Sequence, residues 1–267
     1  MGNPGTVVTI GGKFAYGATS KDLEDEWVNV FVHDCQGYRL VAQALTDDDG
    51  RVAVELDTDD LPAGVYDLQL EVAADASFAT AKLWLLPAGT HVTVSDIDGT
   101  LTTSDAQLII DLFDDILAGS YVPHAYPGGP ALTGAHAGHG EILVYLTGRP
   151  YGLTDSSRQW LAELGFAPGI LHTTDSSGEG FPANSGVGEY KRAYLQRLLD
   201  AGLVIDTAYG NASTDIYAYA EAGIDPADTW IIGPHAGEDG TNAADGTWEP
   251  RAAEVQGGPD VEQPFAW

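Results

Sequence analysis

From about residue 90 onwards, short apolar runs alternate with amphipathic stretches of helical periodicity. The runs HVTVSD (91–96) and ILVYLT (142–147) carry few polar residues, as strands do when helices cover both faces of their sheet. A third run, TAYGN (207–211), leads into a turn. Amphipathic helices are predicted at 104–118, 156–165, 188–202 and 214–223. This alternation predicts a Rossmann-like α/β fold with a parallel sheet and crossover helices.

Residues 1–88 have a different pattern, which predicts a β-sandwich. Short runs such as WVNVFVH (27–33) alternate apolar and polar side chains, as half-buried strands do. Turn-forming sequences such as Asp47–Gly50 separate these runs. Pro87–Gly89 marks the join to the next domain. The predicted organisation is therefore a sandwich domain (1–88), an α/β domain (89–235) and a mostly irregular C-terminal tail (236–267).

The charge balance restricts the partners of the chain. Its 11 Lys and Arg face 40 Asp and Glu, a formal net charge of −29. This excludes nucleic acid, because phosphate backbones need a basic surface. An anionic membrane should repel the chain unless a local basic patch or a bridging divalent cation intervenes. No apolar run reaches the roughly 18 residues that a membrane span needs, so we expect a soluble or peripheral protein in a compartment that composition leaves open.

Two carboxylates stand directly after the first apolar strand of the α/β domain, in Asp96-Ile97-Asp98-Gly99-Thr100. In an open α/β sheet, ligands bind beyond the carboxyl ends of the strands. Alternation puts residues two apart on one side of an extended segment, so Asp96 and Asp98 can face one bound phosphate. A calcium loop does not fit the residues that follow. An ordinary Asp-Gly turn at a strand end remains the alternative.

Two further elements could hold phosphate. Thr147, Gly148 and Arg149 follow the second apolar strand, where a hydroxyl and a free backbone N–H can bind phosphoryl oxygens. Lys191, one of only four lysines, lies early in a predicted helix and could neutralise charge on phosphate and carboxylate. The alternatives are a plain strand-to-loop turn for the first element and a solvated helix face for the second.

A carboxamide and a carboxylate follow the third strand. Asn211 and Asp215 are one helical turn apart in Gly210-Asn211-Ala212-Ser213-Thr214-Asp215. Oxygen ligands of this kind suit Mg²⁺, which proteins hold with one or two carboxylates plus water and substrate oxygens. A helix cap made by Ser213 or Thr214 is the alternative.

The order of these motifs resembles the haloacid dehalogenase superfamily of phosphohydrolases. More closely, the chain resembles the lipin-type phosphatidate phosphatases and the related C-terminal domains of phosphatidylinositol-transfer proteins. The similar stretches are DIDGTLTTSD (96–105), VYLTGRPYGLTDSSRQWL (144–161) and YGNASTDIYAYAEAGI (209–224). The likeness covers residues from about 91 to 235, and it implies that the β-rich start is immunoglobulin-like, as in the lipins.

The resemblance implies a Mg²⁺-dependent phosphatase and a role for each acidic residue. Asp96 would attack phosphorus and form an aspartyl-phosphate. Asp98 would protonate the leaving alcohol and later activate water. Mg²⁺ would lie between Asp96, the main-chain carbonyl of Asp98 and Asn211, with Asp215 close by.

The same resemblance assigns the phosphoryl oxygens to Thr147, the N–H of Gly148 and Lys191. Arg149 is a further candidate for binding substrate. The substrate would be a phosphate ester, with phosphatidate implied by the lipin branch and peripheral contact with a membrane implied by that substrate. A soluble phosphomonoester is the alternative that the acidity favours. A non-catalytic phosphatidate-binding module is a third reading, which the presence of both Asp96 and Asp98 argues against.

Three histidines lie in the Gly- and Pro-rich segment 119–140, at positions 124, 136 and 139. The spacing of His136 and His139 suits a metal site, but no Cys or acidic partner stands at ligand spacing. We therefore predict a flexible loop over the active site here.

Overall fold

The computed structural model describes residues 1–16, 21–34, 37–103, 123–174 and 184–267. The helix predicted at 104–118 lies outside these residues. The chain divides into two compact units, residues 1–88 with Trp267 and residues 89–266. In the described ranges, none of the helices combines the length and the apolar character that crossing a bilayer requires.

The first unit is the predicted β-sandwich. Its strands are β1 (Val7–Lys13), β2 (Ala15–Tyr16), β3 (Lys21–Asp22), β4 (Trp27–Asp34), β5 (Gly37–Leu45), β6 (Arg51–Asp57), β7 (Gly64–Val72) and β8 (Phe78–Leu85). An antiparallel sheet has the order β5-β4-β7-β8, and β1 pairs with β6. Alternation within β4 turns Val28, Val30 and Val32 inward, where they are fully buried in the core. The expected sandwich is confirmed.

The second unit contains the predicted parallel sheet. Its strands are β9 (His91–Ser95), β10 (Ile142–Pro150), β11 (Gly169–Thr174), β12 (Val204–Gly210), β13 (Thr229–Ile232) and β14 (Asn242–Ala244), in the spatial order β11-β10-β9-β12-β13-β14. The α-helices of this unit in the described residues are α1 (Gly129–Gly138), α2 (Thr154–Glu163), α3 (Asn184–Asp200), α4 (Ser213–Glu221) and α5 (Glu249–Gln256). Every described strand pair of this sheet is parallel, which confirms the α/β fold class.

The strand order brings the motifs together. β9 lies between β10 and β12, and Ser95 of β9 is in register with Tyr145 on one side and Tyr209 on the other. The residues that follow these three positions along their strands therefore meet at one edge of the sheet. This is the carboxyl edge, where open α/β sheets bind their ligands.

The flexible loop predicted at 119–140 is wrong for the residues that form α1. Gly129–Gly138 is a helix with Pro130 in its first turn, although its Gly content gives a weak helical signal. His136 is a buried core residue: its Nδ1 lies 3.0 Å from a Glu141 carboxylate oxygen and its Nε2 lies 2.7 Å from the Tyr209 hydroxyl. Leu132 packs into the core and stabilises this helix, although the local sequence gives only a weak helical signal.

The mostly irregular tail predicted at 236–267 is also wrong in part. It contains β14 and α5, which both belong to the α/β unit. Trp248 is fully buried, and Ala252 and Val255 pack with it in one cluster. These elements are three and eight residues long, too short for periodicity to reveal them.

Candidate active site

The loop after β9 is wound tightly around one carbonyl group. The amides of Thr100, Leu101 and Thr102 all donate to the carbonyl oxygen of Ile97, over 3.2, 2.8 and 2.9 Å. Gly99 has a φ of +79°, and a Cβ there would lie 2.1 Å from Nδ2 of Asn211. Only glycine permits both this conformation and the close approach of Asn211.

A buried lysine connects two carboxylates of the site. Nζ of Lys191 lies 2.6 Å from Oδ1 of Asp96 and 2.6 Å from Oδ1 of Asp215. Lys191, Asp96 and Asp215 are all buried. The solvated-face alternative for Lys191 therefore does not hold, since α3 turns this side chain into the protein.

Burial changes the protonation of these groups. It raises the pKa of the Asp96 carboxyl to about 7; Lys191 opposes the rise, and the carboxylates of Asp215 and Asp98 add to it. Burial alone would lower the pKa of Lys191, but the negative charges of Asp215 and Asp96 override it and raise this pKa above its ordinary value. Lys191 is therefore held as a cation against Asp96.

Thr100 contacts both Asp96, the candidate nucleophile, and the carboxamide of Asn211. Its hydroxyl oxygen lies 2.9 Å from Oδ2 of Asp96 and 3.1 Å from Oδ1 of Asn211. The second oxygen of Asp215 accepts hydrogen bonds of 3.0 Å from the amides of Asn211 and Ala212. Asp215 thus caps the start of α4 itself, in place of the Ser213 or Thr214 cap that was the alternative.

Asp98 is held by a different set of contacts. The guanidinium of Arg149 donates to both oxygens of its carboxylate, with a closest distance of 2.7 Å, and the Thr147 hydroxyl donates to Oδ2 over 3.2 Å. Arg149 also donates to Ser157 over 2.8 Å and lies 5.9 Å from the ring centre of Trp160. Pairing of β10 with β11 becomes irregular between Leu146 and Pro150, which places this segment at the site.

The predicted site residues lie together at one edge of the sheet, and their roles stay predictions. The structure brings Asp96, Lys191, Asn211 and Asp215 into one group and sets Asp98, Thr147 and Arg149 beside it. Arg149, which the sequence predicts to bind substrate, donates hydrogen bonds to Asp98. Roles for Thr100 and Ser157 were not anticipated, although the position of Thr100 within the acid-pair motif was a signal for it.

The donor set fits a magnesium ion. Asp96, Asn211 and the main-chain carbonyl of Asp98 offer oxygen atoms, which Mg²⁺ prefers. Because Gly210 has no side chain, Asp215 can lie close to the main chain at this position. A Cβ on Gly210 would lie 2.6 Å from Cβ of Asp215. Within the described residues, no three His, Cys, Asp or Glu side chains form a complete metal cage. A site with few carboxylates that relies on water and substrate oxygens suits Mg²⁺ better than zinc.

Comparison with known proteins identifies similar chains along most of the sequence. A rat protein, "Membrane-associated phosphatidylinositol transfer protein 1", is 26% identical over 230 residues, which is 84% of this chain. The human protein "Membrane-associated phosphatidylinositol transfer protein 2" is 26% identical over 228 residues, 83% of this chain. The Drosophila melanogaster "Protein retinal degeneration B" is 26% identical over 198 residues, 73% of this chain. The chain covers only 14% to 17% of the length of these relatives.

Two family models match the two units in turn. The model "PITM 1-3, beta-sandwich domain" matches residues 3–85, within the sandwich. The model "PITM 1-3, LNS2 domain" matches residues 93–233, just over half of the chain and all the candidate site residues. The resemblance seen in the motifs is thereby confirmed, and the chain belongs to the LNS2 domain family of the PITM proteins.

Proposed function

We propose that this chain is a Mg²⁺-dependent phosphatase in which Asp96 is the nucleophile. The observation that carries the proposal is the buried group at the carboxyl edge of the sheet: Asp96 contacts the cation of Lys191, and Asp98 stands two residues further along. An anionic nucleophile must approach an anionic phosphate, and a fixed cation between them lowers the repulsion. The combination supports covalent phosphoryl transfer better than it supports a structural ion pair.

In the first half-reaction, an oxygen of Asp96 attacks phosphorus and the bond from phosphorus to the ester oxygen breaks. Asp98 gives a proton to the departing oxygen, which leaves as an alcohol. Lys191 and the Thr147 hydroxyl stabilise the charge on the transferring group. The product on the protein is an aspartyl-phosphate at Asp96.

In the second half-reaction, water hydrolyses the aspartyl-phosphate. Asp98, now a carboxylate, takes a proton from the attacking water, and inorganic phosphate leaves. Arg149 contacts both oxygens of Asp98 and holds this side chain in place for both steps, so the Thr147 hydroxyl can turn from Asp98 to the phosphoryl group. Arg149 is thus proposed to orient Asp98, in place of the substrate-binding role suggested by the sequence.

The cation would be held by Asp96, Asn211 and the main-chain carbonyl of Asp98, with Asp215 adding negative charge nearby. When bound, Mg²⁺ supplies positive charge that offsets the phosphate and the carboxylates. The carboxylates of Asp96 and Asp215 share the single cation of Lys191, so one negative charge is left over beside the proposed metal ligands. That excess supports a cation in the working state.

We propose phosphatidate as the substrate, with diacylglycerol and phosphate as products. The support for phosphatidate is the resemblance of the motifs to the lipin-type phosphatidate phosphatases. The names of two relatives, which describe membrane-associated phosphatidylinositol transfer proteins, support a phospholipid in general. Peripheral contact with a membrane follows from such a substrate. The net charge of −29 opposes contact with an anionic surface.

The test is phosphate release from phosphatidate in mixed micelles, measured beside soluble esters such as glycerol 3-phosphate. We expect phosphatidate to be hydrolysed faster than the soluble esters. We expect EDTA to abolish release and Mg²⁺ or Mn²⁺ to restore it, because the site lacks a neutralising charge without them. Release that continues in EDTA at the full rate would contradict the proposed metal dependence.

The remaining outcomes test the phosphatase reaction and the choice of a lipid substrate separately. Turnover of soluble esters alone would leave a phosphatase and remove the lipid substrate. Binding of phosphatidate without release would favour the non-catalytic binding module.

On vesicles, salt should increase activity, because the Debye length falls from about 30 Å at 0.01 M to about 8 Å at 0.15 M and the repulsion is screened. A basic docking patch would produce the opposite trend.

Arg149→Lys tests the orienting role of Arg149. Lysine keeps the positive charge but cannot donate to both oxygens of Asp98 in a fixed plane. We expect kcat to fall by about 10- to 100-fold, as misplacement of a reacting group does, with KM nearly unchanged. Steady-state kinetics on the preferred ester measure both values. A large rise in KM with unchanged kcat would instead assign Arg149 to substrate binding, as the sequence had suggested.

A further inference from the structure

The C-terminal segment reaches the active-site loop through one side chain. Nε1 of Trp248 donates a hydrogen bond of 2.7 Å to the main-chain carbonyl oxygen of Thr100. Both residues are fully buried. Trp248 lies beyond residues 93–233, which the family model matches, and directly before α5. The contact therefore connects a segment outside the family match to the loop that carries Asp96.

The residue held by Trp248 contacts two members of the site. The Thr100 hydroxyl lies within 2.9 Å of an Asp96 carboxylate oxygen and 3.1 Å of the Asn211 carboxamide oxygen. A shift of the Thr100 main chain would move this hydroxyl and disturb both groups together. Thr100 is thus the point at which a main-chain contact from the tail reaches the proposed nucleophile and a proposed magnesium ligand.

Trp248 is itself held from several sides. Its amide donates to the carbonyl of Pro127 over 2.9 Å, and its own carbonyl accepts from Ala252 over 2.8 Å at the start of α5. Its ring meets the ring of Tyr209 edge-on, with centroids 5.2 Å apart. Tyr209 also accepts, through its main-chain carbonyl, a 3.0 Å hydrogen bond from the amide of Asp96. An indole fixed in this way is a rigid support for the loop.

We propose that Trp248 is a positioning residue for the reaction: its indole N–H fixes Thr100, and through Thr100 it sets Asp96 and Asn211. The proposal rests on the proposed function. Under this proposal, catalysis requires the segment after residue 233 as well as residues 93–233, which the family model matches. Trp248 touches no reacting atom in this scheme and acts only through Thr100.

The test compares Trp248→Phe with Trp230→Phe in the full chain. Phenylalanine keeps an aromatic ring at position 248 but removes the N–H donor. Trp230 lies in β13 and packs against the same cluster, so its replacement controls for loss of aromatic packing. Three quantities are measured for each variant: kcat and KM on the ester that the wild type hydrolyses best, Mg²⁺ affinity by calorimetry, and the thermal unfolding midpoint.

For Trp248→Phe we expect kcat to fall by about 10- to 100-fold, the usual effect of a misplaced catalytic group. We expect KM to change by less than about threefold, because the loss falls on the chemical step. Mg²⁺ should bind about tenfold more weakly, which is a coupling of about 1.4 kcal/mol. Trp230→Phe should keep wild-type kcat and Mg²⁺ affinity. If both variants keep these two values, the proposal is overturned, even if both unfold at lower temperature.

Two further cases are covered: a Trp248→Phe variant that does not fold, and a wild type that hydrolyses no ester. If Trp248→Phe does not fold, 3-benzothienylalanine at position 248 replaces the N–H by sulfur in an almost identical shape, and the same losses are expected. If the wild type binds Mg²⁺ but hydrolyses no ester, the proposed function fails and the Mg²⁺ affinities alone decide the role of Trp248. A wild type that does not bind Mg²⁺ would overturn the proposal.

Discussion

Replacing Asp96 by Asn is expected to abolish phosphate release while the protein stays folded. A carboxamide cannot attack phosphorus, so kcat should fall on the order of 10⁴-fold or more, as it does when other enzymes lose their nucleophile. Burial raises the pKa of the Asp96 carboxyl to about 7, from an ordinary value of 3.8. As the pH rises towards 7, the unfolded chain loses the Asp96 proton before the folded protein does, so the free energy of unfolding falls. The neutral Asn does not titrate and removes this loss of stability. Activity should vanish without a fall in the unfolding midpoint.

The matched control is Asp67→Asn. Asp67 is half exposed and pairs with Lys82 on the surface of the sandwich, so this variant should retain full activity. Phosphate release is measured with Mg²⁺ present, and thermal unfolding is measured in metal-free buffer at pH 8, for both variants. Turnover by Asp96→Asn within tenfold of the wild type would refute Asp96 as the nucleophile.

Replacing Lys191 by Met is expected to destabilise the α/β unit and remove activity. Lys191 is buried with Asp96 and Asp215, each 2.6 Å away, and its loss leaves two carboxylates without their shared cation. Breaking a buried ion pair from one side costs about 3–5 kcal/mol. At the usual 2–4 °C per kcal/mol for a unit of this size, the midpoint should fall by roughly 10 °C.

The pH and metal dependence of Lys191→Met add two checks. Asp96 without Lys191 takes up a proton more readily, so the loss of stability should be smaller at pH 6 than at pH 8. Mg²⁺ should restore part of the lost stability, because it again places positive charge beside the carboxylates. Lys82→Met removes an exposed pair and should cost at most about 1 kcal/mol. Equal stability of the two lysine variants at pH 8 would contradict the charged state proposed for the site.

The parts of the fold predicted from sequence are those that a local pattern encodes. β9 is an apolar run followed at once by the acid pair, and β10 is an apolar run that ends in the motif of Thr147 and Arg149. The sequence therefore indicates both the parallel sheet and the edge that carries the acids. The helix at 129–138 was missed because its glycines and alanines give no clear apolar face. Its stability comes from packing against residues far along the chain, which a sequence window does not contain.

The same distinction applies to the site. The acid pair and the pair of Asn211 and Asp215 could be grouped because each follows the end of a strand, whereas Lys191 lies in the middle of α3 and was added to the group by the resemblance. The direction in which Arg149 points was not predictable, since it depends on Ser157 and Trp160 behind it. The contact between Trp248 and Thr100 joins residues 148 positions apart, and no motif spacing encodes it.

The short strand β14 has a consequence for the solubility of the protein. It pairs with β13 over three residues and forms the outer strand of the sheet. Without it, β13 would expose the open backbone groups of Trp230–Ile232, where Ile231 and Ile232 are now fully buried. An open apolar edge of this kind recruits strands from other chains, whereas a very short outer strand offers them little to pair with. The C-terminal segment therefore protects the α/β unit from edge-to-edge aggregation.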